Sequence, residues 1–237
     1  VSGFQNKFFG HINAFWSTND LQQFDNTTEP CSIVASGTIA ALQFDAYSDA
    51  RIKNIIGQSN SAEDLVTINH LKITNYTMKD KVSYGNKHFK KIIAQELENV
   101  YPEVISRRKN FIPNVYQLTS KIEKTATGYL LSFTNKHNIS DTAKTLQLIM
   151  PEAKNMMPFE IVSLPSPTQV IIKAADLKAD KIFVYGEEVN DFRTVDYEGL
   201  TTLNISATQE LSKQMEAQNK KIDMLVKEIE ALKEKNI

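Results

Sequence analysis

The sequence predicts an α+β fold: a mixed segment, then a β-rich block, then one long C-terminal helix. Three observations predict it. Short alternating or β-branched apolar stretches recur between Val115 and Gly186, punctuated by Pro151, Pro158, Pro165 and Pro167. That texture belongs to a small antiparallel sandwich or barrel. From Leu211 the apolar positions step by four and three through Met215, Ile222, Leu225, Ile229 and Leu232, with no proline, which is the a/d seam of a coiled coil. Between Ser48 and Pro113 neither period dominates, and short helical and extended stretches alternate.

Taken in order, the chain divides at 1–47, 48–113, 114–190 and 191–237. Residues 1–47 are rich in Asn, Gln, Thr and aromatics, and Ser32–Ala35 and Thr38–Phe44 read as strands around a turn at Gly37. Phe4, Phe8, Phe9, Phe15 and Trp16 suit subunit packing better than a carbohydrate platform. Within 48–113, Ala62–Asn69 reads as a short helix behind Ser61 as N-cap. His70–Tyr76 reads as a strand, Lys79–Lys87 as a hairpin loop, and Phe89–Ala94 as a second strand. A helix follows from Gln95 to Asn99, stopped by Pro102. The basic run Arg107-Arg108-Lys109 reads as a solvated turn.

The β block contains Val115–Ile122, Tyr129–Phe133, Leu146–Ile149, Glu160–Val162, Gln169–Ile172 and Lys181–Gly186 as candidate strands. It reads as an insertion before the last helix. From Asp191 onward the chain reads as leading into helix. The seam is narrower than the stripe of a helix packed on its own domain, which favours association of copies. Ile at a with Leu at d leans toward a dimer, while Gln218 and Asn236 within the seam blur that preference.

Composition excludes several classes of function. The 237 residues carry a formal net charge of −1, so nothing favours nucleic acid or an anionic membrane surface as partner. One cysteine, Cys31, permits neither an intrachain disulfide framework nor a Cys-based zinc site. His11, His70, His88 and His137 lack ligand spacing, so neither a metal nor a cofactor is expected. No apolar run approaches the roughly 20 residues of a membrane span. The start, Val1-Ser2-Gly3-Phe4, has no signal peptide and no methionine, and reads as the cut edge of a longer protein.

The chemistry points to Ser48-Asp49-Ala50-Arg51-Ile52-Lys53. A serine hydroxyl needs a base to become a nucleophile, and a lysine can serve once burial penalises its ammonium form. Five residues apart, Ser48 and Lys53 lie apart around a helix and on opposite faces of a strand. Either a bend joins them or Lys53 comes from another subunit. The bland alternative is a turn or cap at Ser48-Asp49, with Arg51 and Lys53 solvated.

The S-D-x-R-x-K pattern at 48–53, Ile93-Ala94-Gln95 inside Ile92–Glu103, and the terminal heptads, in that order, resemble the endosialidase-type intramolecular chaperones. These are self-cleaving, trimerising C-terminal domains of phage tail spikes and fibres, with a relative in the myelin regulatory factor of animals. The resemblance implies a homotrimer whose chaperone core, 48–113, carries the β insertion and the coiled coil. It implies a single self-cut at the Tyr47–Ser48 bond, with Ser48 as nucleophile and Lys53 as base. Asp49, Arg51 and Gln95 would support them, and His88 stands near the place of a family histidine, although Lys90-Lys91 depart from the usual residues there. The partners implied are the chain itself and the upstream fibre segment ending at residue 47. The setting implied is a virion tail fibre or spike, with the chaperone part released or retained in the host cytoplasm. The competing expectation is a non-cleaving trimeric fibre tip that binds a receptor through residues 114–190. A membrane-tethered transcription factor lacks both a span and a basic reading segment.

Overall fold

Every second residue of Tyr129–Ser132 is buried, as are Leu146 and Leu148, and Val170 and Ile172. A period of two puts those side chains on one face, which only a partner layer or closure of the sheet can cover. Closure is the solution in the computed structural model, which describes residues 42–43, 46–150 and 156–235. Strands β1 (Thr74–Thr77) and β2 (His88–Lys91) form a separate hairpin. Eight more strands share one antiparallel sheet: β3 (Ile105–Phe111), β4 (Gln117–Leu118), β5 (Lys121–Lys124), β6 (Tyr129–Ser132), β7 (Thr145–Ile149), β8 (Met156–Ser166), β9 (Gln169–Ile172) and β10 (Phe183–Val195).

The pairings run β4–β10–β7–β8–β9–β6–β5. Only Thr119 and Ser120 separate β4 from β5, and their N–H groups donate to Ile182 and Ser132 carbonyls on the two flanking sides. The ring of pairings therefore returns to its start, and the sheet is a small closed barrel. Leu131, Leu146, Leu148, Val170, Ile172, Ile182 and Val184 fill it with no residual exposure. Each such side chain contributes about 1.5–3 kcal/mol by burial. Closure also removes the edges that an open sheet of this size would expose.

Several expectations are corrected here. Val115–Ile122 is not one strand but two, broken at the junction that lets the barrel turn. Pro158 and Pro165 lie inside β8, not between strands. β8 pairs first with β7 and then with β9, with register shifts between Ile161 and Ser163 and between Ser163 and Ser166, and such irregular strands accommodate proline. β10 bulges at Gly186, where a Cβ would meet the Ile112 carbonyl oxygen at 1.8 Å. Its second half runs on to Val195, so Asp191–Val195 is strand and not an approach to helix. The partner of that half is β3, which contains Arg107-Arg108-Lys109. That run is a paired strand and not a solvated turn: Arg107 meets Glu98, and Lys109 meets Glu188.

The helices make a second core. α1 (Ser61–His70), α3 (Ala94–Glu98), a 3-10 turn at Pro102–Val104 and the start of α4 (Tyr197–Lys235) bury Leu97, Val104, Leu200 and Leu203 together, with Ile68, Leu71 and Ile92 against them. α1 runs antiparallel to α4, because Ser61 Oγ donates to Glu210 Oε2 at 2.9 Å while Ile68 and Leu71 pack near Leu200. Asn60, not Ser61, caps α1, accepting the Ala62 N–H. β1 and β2 are shorter than the extended stretches suggested, since His70 completes α1 and Ala94 opens α3. The hairpin loop carries a helical turn, α2 (Lys81–Tyr84), capped by Asp80 and closed at Gly85 with φ +57°. Ala207 is the last buried residue of the helix; Glu210 and Lys213 still reach Ser61, while Leu211, Met215, Ile222, Leu225, Ile229 and Leu232 stand about half exposed. The strands expected within 1–41 and the aromatic cluster there lie outside the described residues.

Candidate functional site

Ser48 to Lys53 folds into a tight turn built almost wholly from its own atoms. Asp49 has extended backbone and caps a 3-10 turn over Ala50–Ile52, its carboxylate accepting the Arg51 N–H. The Ile52 and Lys53 N–H groups donate to the Asp49 and Ala50 carbonyls at 3.2 and 3.1 Å. Arg51 then wraps its guanidinium onto the Asp49 carboxylate, with Nε at 3.0 Å from Oδ1 and Nη2 at 2.6 Å from Oδ2. Those side-chain hydrogen bonds, with the backbone one second, hold the Asp49 carboxyl below its usual range. A two-pronged arginine–carboxylate pair has a fixed geometry that a single lysine contact lacks.

The turn brings the two ends of the hexapeptide together. Lys53 Nζ donates to Ser48 Oγ at 2.8 Å. Of the two routes open to a five-residue spacing, a bend or a second subunit, the single chain takes the bend. The turn uses the N–H groups of Arg51, Ile52 and Lys53 and makes no call on those of Asp49 and Ala50. Those two remain as candidate donors toward an oxyanion formed beside Ser48.

Burial is what the turn lacks. Every residue from Ala46 to Asn60 is exposed, with Tyr47 at 92% and Ile56 at 103%. A lysine amine becomes a base when its ammonium is stripped of water, and the single chain leaves Lys53 in solvent.

The remaining candidates stand elsewhere. Gln95 lies in the first turn of α3, exposed, and its carbonyl accepts from Asn99 Nδ2 at 3.0 Å. His88 opens β2 opposite Thr77, also exposed. No hydrogen bond or ion pair among the described residues links either of them to the Ser48 turn. Among the described residues no group of three His, Cys, Asp or Glu side chains could hold a metal ion, and no helix is long and apolar enough to cross a membrane.

Two polar clusters escaped the sequence reading. Asp80, 6% exposed, accepts from Ser83 N–H and from the Tyr116 hydroxyl at 2.8 Å, while that hydroxyl accepts the Val82 N–H. Burial pushes the Asp80 carboxyl up, but the hydrogen bonds from Ser83, Tyr116 and Val82 outweigh it and hold it below its usual range. Tyr116 adopts φ +42° to reach this position, a left-handed conformation that costs an aromatic residue about 1–3 kcal/mol. The second cluster joins Glu98 of α3 to Arg193 of β10 at 2.6 Å and to Arg107 of β3. Only the Asp80 cap carried a local signal, an acidic residue ahead of Ser83 and Gly85; the rest are long-range meetings.

No family model matches the chain. It is similar to an uncharacterised protein, VP1, of Micromonas pusilla reovirus (isolate Netherlands/2005), at 23% identity over 235 aligned positions. The match takes in 78% of this chain and 12% of that protein, so the chain spans about an eighth of the length of this curated viral relative.

Proposed function

We propose that the chain is an oligomerising chaperone module that severs itself once at the Tyr47–Ser48 bond. The observation that carries this reading is the 2.8 Å hydrogen bond from Lys53 Nζ to Ser48 Oγ across a turn locked by Asp49 and Arg51. The exposed seam of α4 supplies the surface for association, with three copies the number the family resemblance implies. The similarity to a reovirus protein supports a viral setting in general; a phage tail fibre or spike in particular is the proposal of the motif resemblance.

The step balances within the turn. Ser48 Oγ attacks the Tyr47 carbonyl carbon, and its proton passes to an uncharged Lys53 amine. The C–N bond of the Tyr47–Ser48 peptide then breaks, and Lys53 returns the proton to the departing Ser48 nitrogen. The resulting ester between Tyr47 and Ser48 Oγ is hydrolysed by water, restoring the hydroxyl. The donor now pointing from Lys53 to Ser48 must reverse before attack, so loss of the lysine's proton is the gate. Gln95 and His88 enter only if a neighbouring copy brings them to the turn.

The logic of such a module follows from folding physics. β-structured fibres depend on non-local pairings, fold slowly and expose edges meanwhile. A helical clamp raises the effective concentration of the strands, and cutting it away afterwards leaves the product kinetically trapped. Denaturing electrophoresis of the expressed chain tests the chemistry. Wild type yields a fragment beginning at Ser48; Ser48→Ala and Lys53→Ala yield none; Arg51→Ala, which loosens the turn, cuts up to about 100-fold more slowly by the scale of misplaced reactive groups.

A non-cleaving, receptor-binding tip is the second reading. The closed barrel favours it, being a self-contained core that uses no residue of the Ser48 turn. A chain that assembles and stays full length belongs to that reading.

A further inference from the structure

The arm from Ala46 to Asn60 presents Ile52, Ile55 and Ile56 at 68%, 78% and 103% exposure. Three isoleucines in five residues make an apolar strip that its own chain does not cover, and exposed strips of that kind mark contact surfaces. An apolar groove of about 390 Å³ lies by the C-terminal end of α1, walled by Ile68, Leu71, Ile73, Ile92, Tyr197 and Leu200.

The groove's α4 wall belongs to the helix seam. Tyr197 stands fourteen residues before Leu211, Asn204 seven before it, and Thr201 fourteen before Met215, so all three continue the two seam positions toward the helix start. Groove and seam are one face of one helix. Association through the seam therefore turns each groove toward the neighbouring copies.

We infer that the Ile52–Ile56 strip of one copy docks in this groove of a second copy. The inference rests on the seam-mediated association proposed above. The second copy is favoured because in its own chain the strip stands exposed and leaves the groove open, while the helix face that walls the groove is the one that association brings against a neighbour. Docking removes water from Ile52 and Ile55, and Lys53 lies between them. Each copy's Ser48–Lys53 turn is thus completed by its neighbour's groove.

Paired cysteines test this in full-length chains carrying Cys31→Ser and Ser48→Ala, so that the arm stays attached. One tagged chain carries Ile56→Cys and a differently tagged one Ile73→Cys; both positions are exposed, at 103% and 57%, so folding tolerates the change. Mild oxidation of the co-expressed chains should give a disulfide joining the two tags, lost when Leu225→Asp with Ile229→Asp breaks the seam. An assembly that sediments as an oligomer yet forms no mixed-tag product overturns the docking alone. A chain that sediments as a monomer overturns the association reading and the docking with it. In the cleavage-competent chain, with Ser48 retained, Ile55→Asp with Ile56→Asp should slow cleavage at least tenfold while the oligomer persists. Unchanged cleavage would overturn the claim that docking completes the site.

Discussion

The barrel and the Ser48 arm are built on opposite principles. In the barrel, side chains from strands distant in sequence share one dry interior, and seven of them have no exposure left. In the arm, six consecutive residues hold each other by hydrogen bonds and bury nothing. One region is stable because it is closed; the other is shaped without being stabilised. In the proposed reading, the lysine of a shaped but solvated turn becomes a base only when water is removed from it. The difference separates two properties that substitutions can address one at a time.

The largest contrast is in cleavage. Ser48→Ala and Lys53→Ala should abolish the Ser48 fragment, a loss of at least the 100-fold or so that a positioned base supplies, while the urea midpoint of the folded domain moves by less than about 0.5 kcal/mol equivalent. A large stability loss in either variant would mean the turn is part of the core after all. Next comes the barrel. Leu131→Ala or Leu148→Ala should cost about 2–5 kcal/mol in urea unfolding, since neither site is exposed and the surrounding ring cannot collapse freely. At temperatures where these variants remain folded, their self-cleavage should match wild type.

A smaller effect probes the connection between the hairpin and the barrel. Tyr116→Phe removes the donor to Asp80 and the acceptor for Val82, and should cost about 1–3 kcal/mol, read as a lower thermal midpoint. An unchanged midpoint would show that the two hydroxyl bonds contribute nothing net to the folded state. The smallest effect is a pH dependence. Hydrogen bonds from Arg193 first and Arg107 second hold the Glu98 carboxyl below its ordinary value. A lowered folded-state value means this contribution is fully present above the unfolded value, about 4.3, and is lost as pH falls through the folded one. Glu98→Gln should therefore lower stability at neutral pH, where the contribution is fully present, and flatten the acid limb so that the variant and wild type converge as pH falls; an unaltered acid limb would show that the pair is only a surface contact.

What the sequence made legible follows from range. The heptad of α4, the helix at 61–70 and the strand Gln169–Ile172 are written in local periodicity, and each forms where its period lies. The Ser48–Lys53 contact was half legible: the spacing demanded a bend, and Asp49 with Arg51 provides it, but nothing local announced that clasp. The strand Ile105–Phe111 was missed because three basic residues in a row look solvated. Glu98, Glu188 and Thr194, all distant or on other elements, are what make it a strand. The same holds for Asp191–Val195, whose pairing partner is set by tertiary structure, and for Pro158 and Pro165, which a partner-switching strand absorbs. Gln95 and His88 were gathered by motif, and in the single chain they stand apart from the turn.

The account turns on a bond that the assembled chain must break by itself. Intact-mass measurement of the purified wild-type oligomer, with N-terminal identification of its products, addresses this directly. The account expects a product that begins at Ser48 and ends at Ile237, in step with oligomer formation and missing from the Lys53→Ala oligomer. An oligomer whose chains all retain the Tyr47–Ser48 bond would contradict it.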